Sequence, residues 1–183
     1  MTPEAGTLPR QRHHPMRSLS SIALLIVSVL VLQAPGAAHA TEPLVDRVEI
    51  QGLQGRLHDA KRGLLDLPHS ERLRAMVLQE RCTAIGGPRG KYRIANGQLW
   101  LQGLYRCGGD VDLRDVYPDS RGPMLATWVT GELVAELGRF VCHATDGTSV
   151  FEKSARITVE SGKVTALNYD APVPAKACAR SAP

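Results

Sequence analysis

Apolar and polar positions alternate through most of residues 45–169, the two-residue period of strands buried on one face. Residues 45–53 read as a first strand, with Val48 and Ile50 on one side and Gly52 and Gly55 ending the run. Further runs cover residues 92–94, 99–104, 125–129, 133–137, 140–144, 149–159 and 164–169. Asn96-Gly97, Asp146-Gly147 and Ser161-Gly162 punctuate them, and these residue types tolerate the positive φ of primed hairpin turns. One stretch changes period: after Pro68-His69, Ser70 is placed to cap a helix, with Leu73, Met76 and Val77 at helical spacing. The pattern predicts a mainly β fold, an antiparallel β-barrel or sandwich with at most one short helix.

A two-residue turn at Asn96-Gly97 sets Ile94 opposite Leu99 and Tyr92 opposite Leu101. Trp100 then points away from that buried face. The chain's aromatics are Tyr92, Trp100, Tyr105, Tyr117, Trp128, Phe140, Phe151 and Tyr169, so none precedes residue 92. Their distribution predicts a core built from the second half, with residues 41–90 wrapping or capping it. Trp100 and Trp128 are the candidate ligand contacts.

The amino terminus follows different rules. Arg10, Arg12 and Arg17 precede an apolar run, residues 22–32, which leads through Pro35-Gly36 to Ala38-His39-Ala40. A basic segment, an apolar stretch and a small-x-small site form a secretory signal peptide, residues 1–40, cut after Ala40. The apolar run is short of the roughly 20 residues needed to span a bilayer, which disfavours a membrane anchor. Met16 is an alternative start, since residues 16–40 suffice as a leader. Residues 41–183 remain as a single mature domain. The full chain carries a net charge of +4, but removing three of its 22 Lys and Arg and one of its 18 acids leaves +2. Basicity therefore belongs mostly to the leader. No contiguous basic stripe interleaved with aromatics marks a nucleic-acid footprint.

Export gives the four cysteines, Cys82, Cys107, Cys142 and Cys178, an environment in which disulfides persist. None is closely paired with another in sequence, as a zinc site would require. Four cysteines allow three pairings. Continuing the Asn96-Gly97 hairpin outward brings residues 82–86 toward Cys107, which favours Cys82 with Cys107 and Cys142 with Cys178.

Candidate chemistry is sparse. Gly86-Gly87-Pro88-Arg89-Gly90-Lys91 has the flavour of a phosphate loop, but Ile85 replaces the leading glycine and Tyr92 the magnesium-binding Ser or Thr. Asp110, Asp112, Asp115 and Asp119 lack the central glycine and terminal Glu of an EF-hand, so a solvated acidic loop is the simpler reading. His58, His69 and His143 are the histidines of the mature domain. Of these, His143 lies near Thr145, Asp146 and Ser149, yet a strand running into a turn need not face His143 toward Asp146. No catalytic residue, cofactor site or metal site is assigned from the sequence.

Tyr92-x-Ile94, Gly97, Leu99 and Leu101, followed by Pro123, Ala126, Trp128, Gly131 and Leu133, resemble a family of uncharacterised small bacterial β-proteins. That family has a Tyr-x-Ile-x-x-Gly-x-Leu-x-Leu hairpin and a Pro-x-x-Ala-x-Trp-x-x-Gly-x-Leu segment. The likeness covers residues 91–137 and implies a shared β-fold without an activity. Phe140-x-Cys142 before Asp146-Gly147-Thr148, with the late Cys178, is similar to the layout of periplasmic inhibitors of C-type lysozyme. Their inhibitory Ser-Gly-x-x-Tyr loop is not matched here, because Thr165 follows Ser161-Gly162 where that pattern has Tyr.

These readings predict an exported domain of the bacterial envelope, periplasmic or secreted, that is non-enzymatic and binds a protein or a small ligand. A lysozyme-inhibitor-like or immunity role is one alternative. A small hydrolase or carbohydrate-active enzyme using His143 or the acids near Asp110 is another. The expected amino terminus of the exported protein is Thr41, checked by intact mass or terminal sequencing; recovery of a chain that keeps residues 1–40 refutes the leader assignment.

Overall fold

Asn96 and Gly97 both adopt positive φ, 53° and 68°. They join β3 (Arg89–Ala95) to β4 (Gln98–Arg106) in the register expected, Ile94 facing Leu99 and Tyr92 facing Leu101. The structure is a computed structural model that describes residues 44–79, 87–171 and 178, all within the unit Thr41–Pro183. The elements preceding the hairpin are β1 (Asp46–Ile50), β2 (Leu53–Asp59) and helix α1 (Glu71–Gln79). After it come β5 (Gly109–Val111), the single-turn α2 (Leu113–Val116), β6 (Met124–Leu125), β7 (Gly131–His143), β8 (Ser149–Glu160) and β9 (Lys163–Tyr169).

All nine strands belong to one sheet, in which β3, β1, β2, β7, β8, β9 and β4 follow one another. Because β4 also pairs along its length with β3, the seven strands form a ring. The ring is uneven. At β9 and β4 only Gln98 and Lys163 are partners, helped by backbone bonds from Leu99 N–H to Gly162 and from Val164 N–H to Gly97. Beyond that junction β9 splays away, leaving an opening of about 350 Å³ edged by Ile50, Ile94, Val164 and Leu167. The rest of the outer edge of β4 is covered in pieces, by β6 at Trp100 and Leu101 and by β5 at residues 104–106. Segmented cover of this kind leaves no long open edge on the central strand.

Several expectations are corrected. The 45–53 run is two strands, because Gln51 and Gly52 turn the chain at φ 52° and 82°. Glutamine seldom takes that conformation, which hid the turn. Residues 41–90 do not merely wrap the core: Val48, Ile50 and Leu57 are buried within it, and β1 and β2 are wall strands. Pairing of β1 with β3 is parallel, the exception in an otherwise antiparallel sheet. Residues 133–137 and 140–144 are not separate strands, since β7 runs through them with register shifts between Leu137 and Cys142. Of residues 125–129 only Leu125 is strand. Among the described residues two helices occur rather than one; α1 is capped by Ser70 Oγ accepting from Leu73 N–H, and α2 by Asp112 accepting from Arg114 N–H. Cys142 and Cys178 are bridged as expected. Cys107 is also disulfide-bonded, and Cys82, its expected partner, lies outside the described residues.

Side chains of Leu99, Leu101, Leu104, Leu133, Leu137 and Ile157 fill the ring, all fully buried. Asp46 is buried with them. Its Oδ1 accepts from Gly90 N–H at 2.8 Å and its Oδ2 from Leu65 N–H at 2.9 Å, so one carboxylate joins β1, the start of β3 and the loop after β2. Asp59, nearly as buried, accepts from Lys61 and Arg62 N–H and from the Arg62 guanidinium, closing the turn that ends β2. At the other end of the ring Gly162 packs directly on the backbone of Ala126, at φ 81°. An added Cβ would sit 2.9 Å from the Ala126 carbonyl, so glycine is required for both reasons.

The two acids shift in opposite directions. Burial pushes the Asp46 carboxyl up, against the two N–H donors that lower it. Burial also raises Asp59, but the Arg62 and Lys61 N–H groups and the Arg62 guanidinium together hold it below 3.8. Truncating Asp46 leaves two buried N–H groups unsatisfied, at about 1–3 kcal/mol each. Even with relief of the carboxylate's burial, Asp46→Ala should cost about 2–4 kcal/mol in urea unfolding; an unchanged midpoint overturns its role. Asp59 stabilises the fold above its unfolded value and loses that contribution as pH falls through its lower folded value. Asp46 does the reverse, its charge penalty fading as pH falls from its raised value toward 3.8. Unfolding midpoints from about pH 6 down to about pH 2 should therefore drop less steeply at the acid end in Asp59→Asn. An identical acid limb in that variant overturns the assignment.

Candidate functional site

Strand alternation sorts β1 into an inner set, Asp46, Val48 and Ile50, and an outer pair, Arg47 and Glu49. Register sets Arg47 opposite Arg56 of β2 on one side and Lys91 of β3 on the other. Three cations thus form a row across three adjacent strands, each strand about 4.8 Å from the next. One step along, Glu49 faces Gln54 and Arg93, and Arg93 in turn faces Trp100 of β4. In this second row charge is matched, with Arg93 bonded to Glu49 at 3.0 Å. In the first row Lys91 reaches out to Asp110 at 2.8 Å. Its ammonium holds the Asp110 carboxyl below the usual range. Such exposed pairs contribute about 1 kcal/mol or less, and their main effect is to set direction.

Arg47 is oriented by an aromatic ring. Its guanidinium lies 4.0 Å above Tyr105, and the Tyr105 hydroxyl is anchored to the Val45 carbonyl. Tyr105 is buried yet outside the apolar core cluster, because it lies under Arg47 on the outer face. The Arg56 guanidinium stands 5.3 Å over the Phe151 ring. Phe151 belongs to a projecting arm, for β7 and β8 continue past their neighbours. The last β2 partner of β7 is Leu137, and the last β9 partner of β8 is Ala155. Among the described strands, residues 138–143 and 149–152 pair only with each other, and the bridge from Cys142 to Cys178 crosses the arm near its tip. Phe140 meets Phe151 edge to face, with centroids 5.9 Å apart, and remains 49% exposed; Val141 is 55% exposed. Between arm and wall runs a groove of about 680 Å³, bordered by Arg47, Arg56, Lys91, Tyr105, Gly138 and Phe151.

The residues singled out from the sequence are dispersed. Trp128 packs against the core and donates its indole N–H to Asp66 O at 3.0 Å, while Trp100 lies half-buried on the outer wall opposite Arg93 and Leu125. Neither borders the 680 Å³ groove. His58 is on β2 opposite Val134. His143 is at the arm's end, 4.9 Å from the Phe140 ring, and Asp146 instead accepts from Thr148 N–H. Asp112 caps α2. Among the described residues no three His, Cys, Asp or Glu side chains converge as metal ligands. Gly86 lies outside the described residues; the Arg89-Gly90-Lys91 part of the glycine-rich stretch is strand β3 rather than a phosphate-cradling loop.

Burial pushes the Tyr92 hydroxyl up, and that hydroxyl has no hydrogen bond of acceptable geometry among the described residues. Tyr117, raised to about 12 by burial, donates to the Pro68 carbonyl. Both rings pack in the core, Tyr92 almost wholly enclosed and Tyr117 nearer its margin. The groove's cations were missed in the sequence because they are single residues on different strands. The available signal was a charged residue at every second position, Arg47 and Glu49, then Lys91 and Arg93. No protein-family model, curated protein or solved structure matches this chain.

Proposed function

We propose that the mature domain is a non-enzymatic binding module of the bacterial envelope, exported by residues 1–40, whose groove between wall and arm takes a protein or a small ligand. The observation that carries this reading is the convergence of two guanidinium–aromatic stacks on one groove, beside the exposed Phe140. Arg and aromatic side chains dominate the energetics of binding surfaces, the rings through large contact area with few rotors and Arg through its planar, multi-donor guanidinium. The groove volume falls within the roughly 300–1,000 Å³ of ligand sites. Among the described residues that border it, Glu49 is the sole carboxylate and is tied to Arg93, a composition suited to recognition rather than proton transfer.

The exported protein, immobilised and exposed to cell-envelope extract, should retain a ligand that is lost on a change at the arm. Phe140→Asp, at an exposed position, is expected to lower retention at least about tenfold with little change in thermal stability. Equal retention by both proteins, or retention of nothing by either, overturns the proposal.

A further inference from the structure

We infer that this groove recognises a carboxylate of an acidic peptide segment on a protein partner, with Arg47 as the residue that grips it. The inference rests on the binding reading above and assigns its chemistry. Arg47 is the distinctive cation of the row. Lys91 is engaged by Asp110 and Arg93 by Glu49, whereas among the described residues Arg47 makes no direct ion pair or hydrogen bond and only adds to the field that Lys91 sets on Asp110. One face of the Arg47 guanidinium is occupied by the Tyr105 ring, which leaves the N–H groups along the guanidinium edge uncovered by that ring at the border of the groove. That edge matches the two oxygens of a carboxylate. Because Tyr105 is itself fixed through its hydroxyl to Val45, the guanidinium is oriented before a ligand arrives, which lowers the ordering cost of binding.

Charge complementarity selects the partner's chemistry. Among the described residues four cations, Arg47, Arg56, Lys91 and Arg93, border the groove with one acid, Glu49, while Asp110 meets Lys91 from outside that border. Phe151 flanks the row under Arg56 and is extended by Phe140, which meets it edge to face, so an acidic residue adjoining an apolar one meets complementary surface. A groove open along its length holds an extended chain better than it encloses a small molecule, which needs most of its surface buried. A single-stranded nucleic acid would need a continuous cationic track, and here the second row is neutralised by Glu49. A planar anionic bilayer does not enter a concave groove.

The probe is a fluorescein-labelled peptide of alternating glutamate and phenylalanine, compared by anisotropy with its lysine-for-glutamate counterpart, with an oligo(dT) strand and with anionic phosphatidylglycerol vesicles. Preferential binding of the acidic peptide is expected, weakened at least about tenfold by Arg47→Ala. Arg47→Lys, which keeps the charge but loses the planar fork, should weaken it at least about threefold. Both variants should keep the parent's melting temperature, since Arg47 is exposed. Equal binding of the acidic and basic peptides, stronger binding of oligo(dT) or vesicles, or indifference to both Arg47 variants overturns the inference. If any of these results accompanies loss of extract retention in Phe140→Asp, the groove still binds and only its assigned chemistry is wrong.

Discussion

The Asp46 carboxylate is the constraint on which the rest of the architecture depends. A charge removed from water is tolerated only where hydrogen bonds replace hydration, and here two backbone N–H groups from distant segments do so. One belongs to Gly90, at the start of β3, so the bond fixes where β3 meets β1. That contact matters because β1 and β3 are parallel, and a parallel pair has no tight turn to set its register. The other bond draws the loop after β2 over the same end of the ring, seating Leu65 in the core. Arg47 follows Asp46 directly, so alternation sends it outward wherever Asp46 is held inward. Both the ring closure and the central cation of the groove thus depend on one buried acid.

Closure is strong on one side of β4 and weak on the other. Its edge against β3 is paired along most of its length, while its opposite edge is shared among β9, β6 and β5. Gly162 makes this compromise workable: without a side chain, the β8–β9 turn comes close enough to Ala126 for β6 to lie between β9 and β5. The splayed part of β9 is connected back at its far end by Tyr169, whose hydroxyl meets Gln51 at 3.3 Å. Exposed hydrogen bonds of this length contribute little. The seam is therefore the least constrained part of the ring, and the cationic row lies away from it, on well-paired strands.

Local features were legible in the sequence and long-range ones were not. Asn96-Gly97 announced its hairpin because few residues accept positive φ, and Ser70 announced α1 because its hydroxyl satisfies a free N–H. Gln51-Gly52 escaped because glutamine carries no such signal. The contribution of β1 and β2 to the core was hidden by their composition: they bring Val48, Ile50 and Leu57 but no aromatic ring. Aromatic positions located one side of the core and gave no information about its aliphatic wall. The groove is less legible still. Arg47, Arg56 and Lys91 become neighbours only through one antiparallel and one parallel register, and the parallel partner is more than forty positions away in the chain. The tryptophans drew attention by residue type, although Trp128 serves the packing through its bond to Asp66.

The arm gives the Cys142–Cys178 disulfide its role. A two-stranded hairpin without neighbours is marginal in water, and among the described strands none lies beside residues 138–143 and 149–152. The Cys142–Cys178 bridge closes a 36-residue separation, a constraint on the unfolded chain of about 3–4 kcal/mol in the chain-entropy account. Ala144 also forms a β-bridge with Cys178, so the staple is joined by a backbone contact beside the arm. Arg139 bonded to Glu152 adds a cross-strand tie at the arm's base. If the arm only ended the sheet, shortening β7 and β8 would remove the need for staple and tie together. Their presence holds Phe151 under Arg56, with Phe140 packed against it, and the groove depends on that spacing.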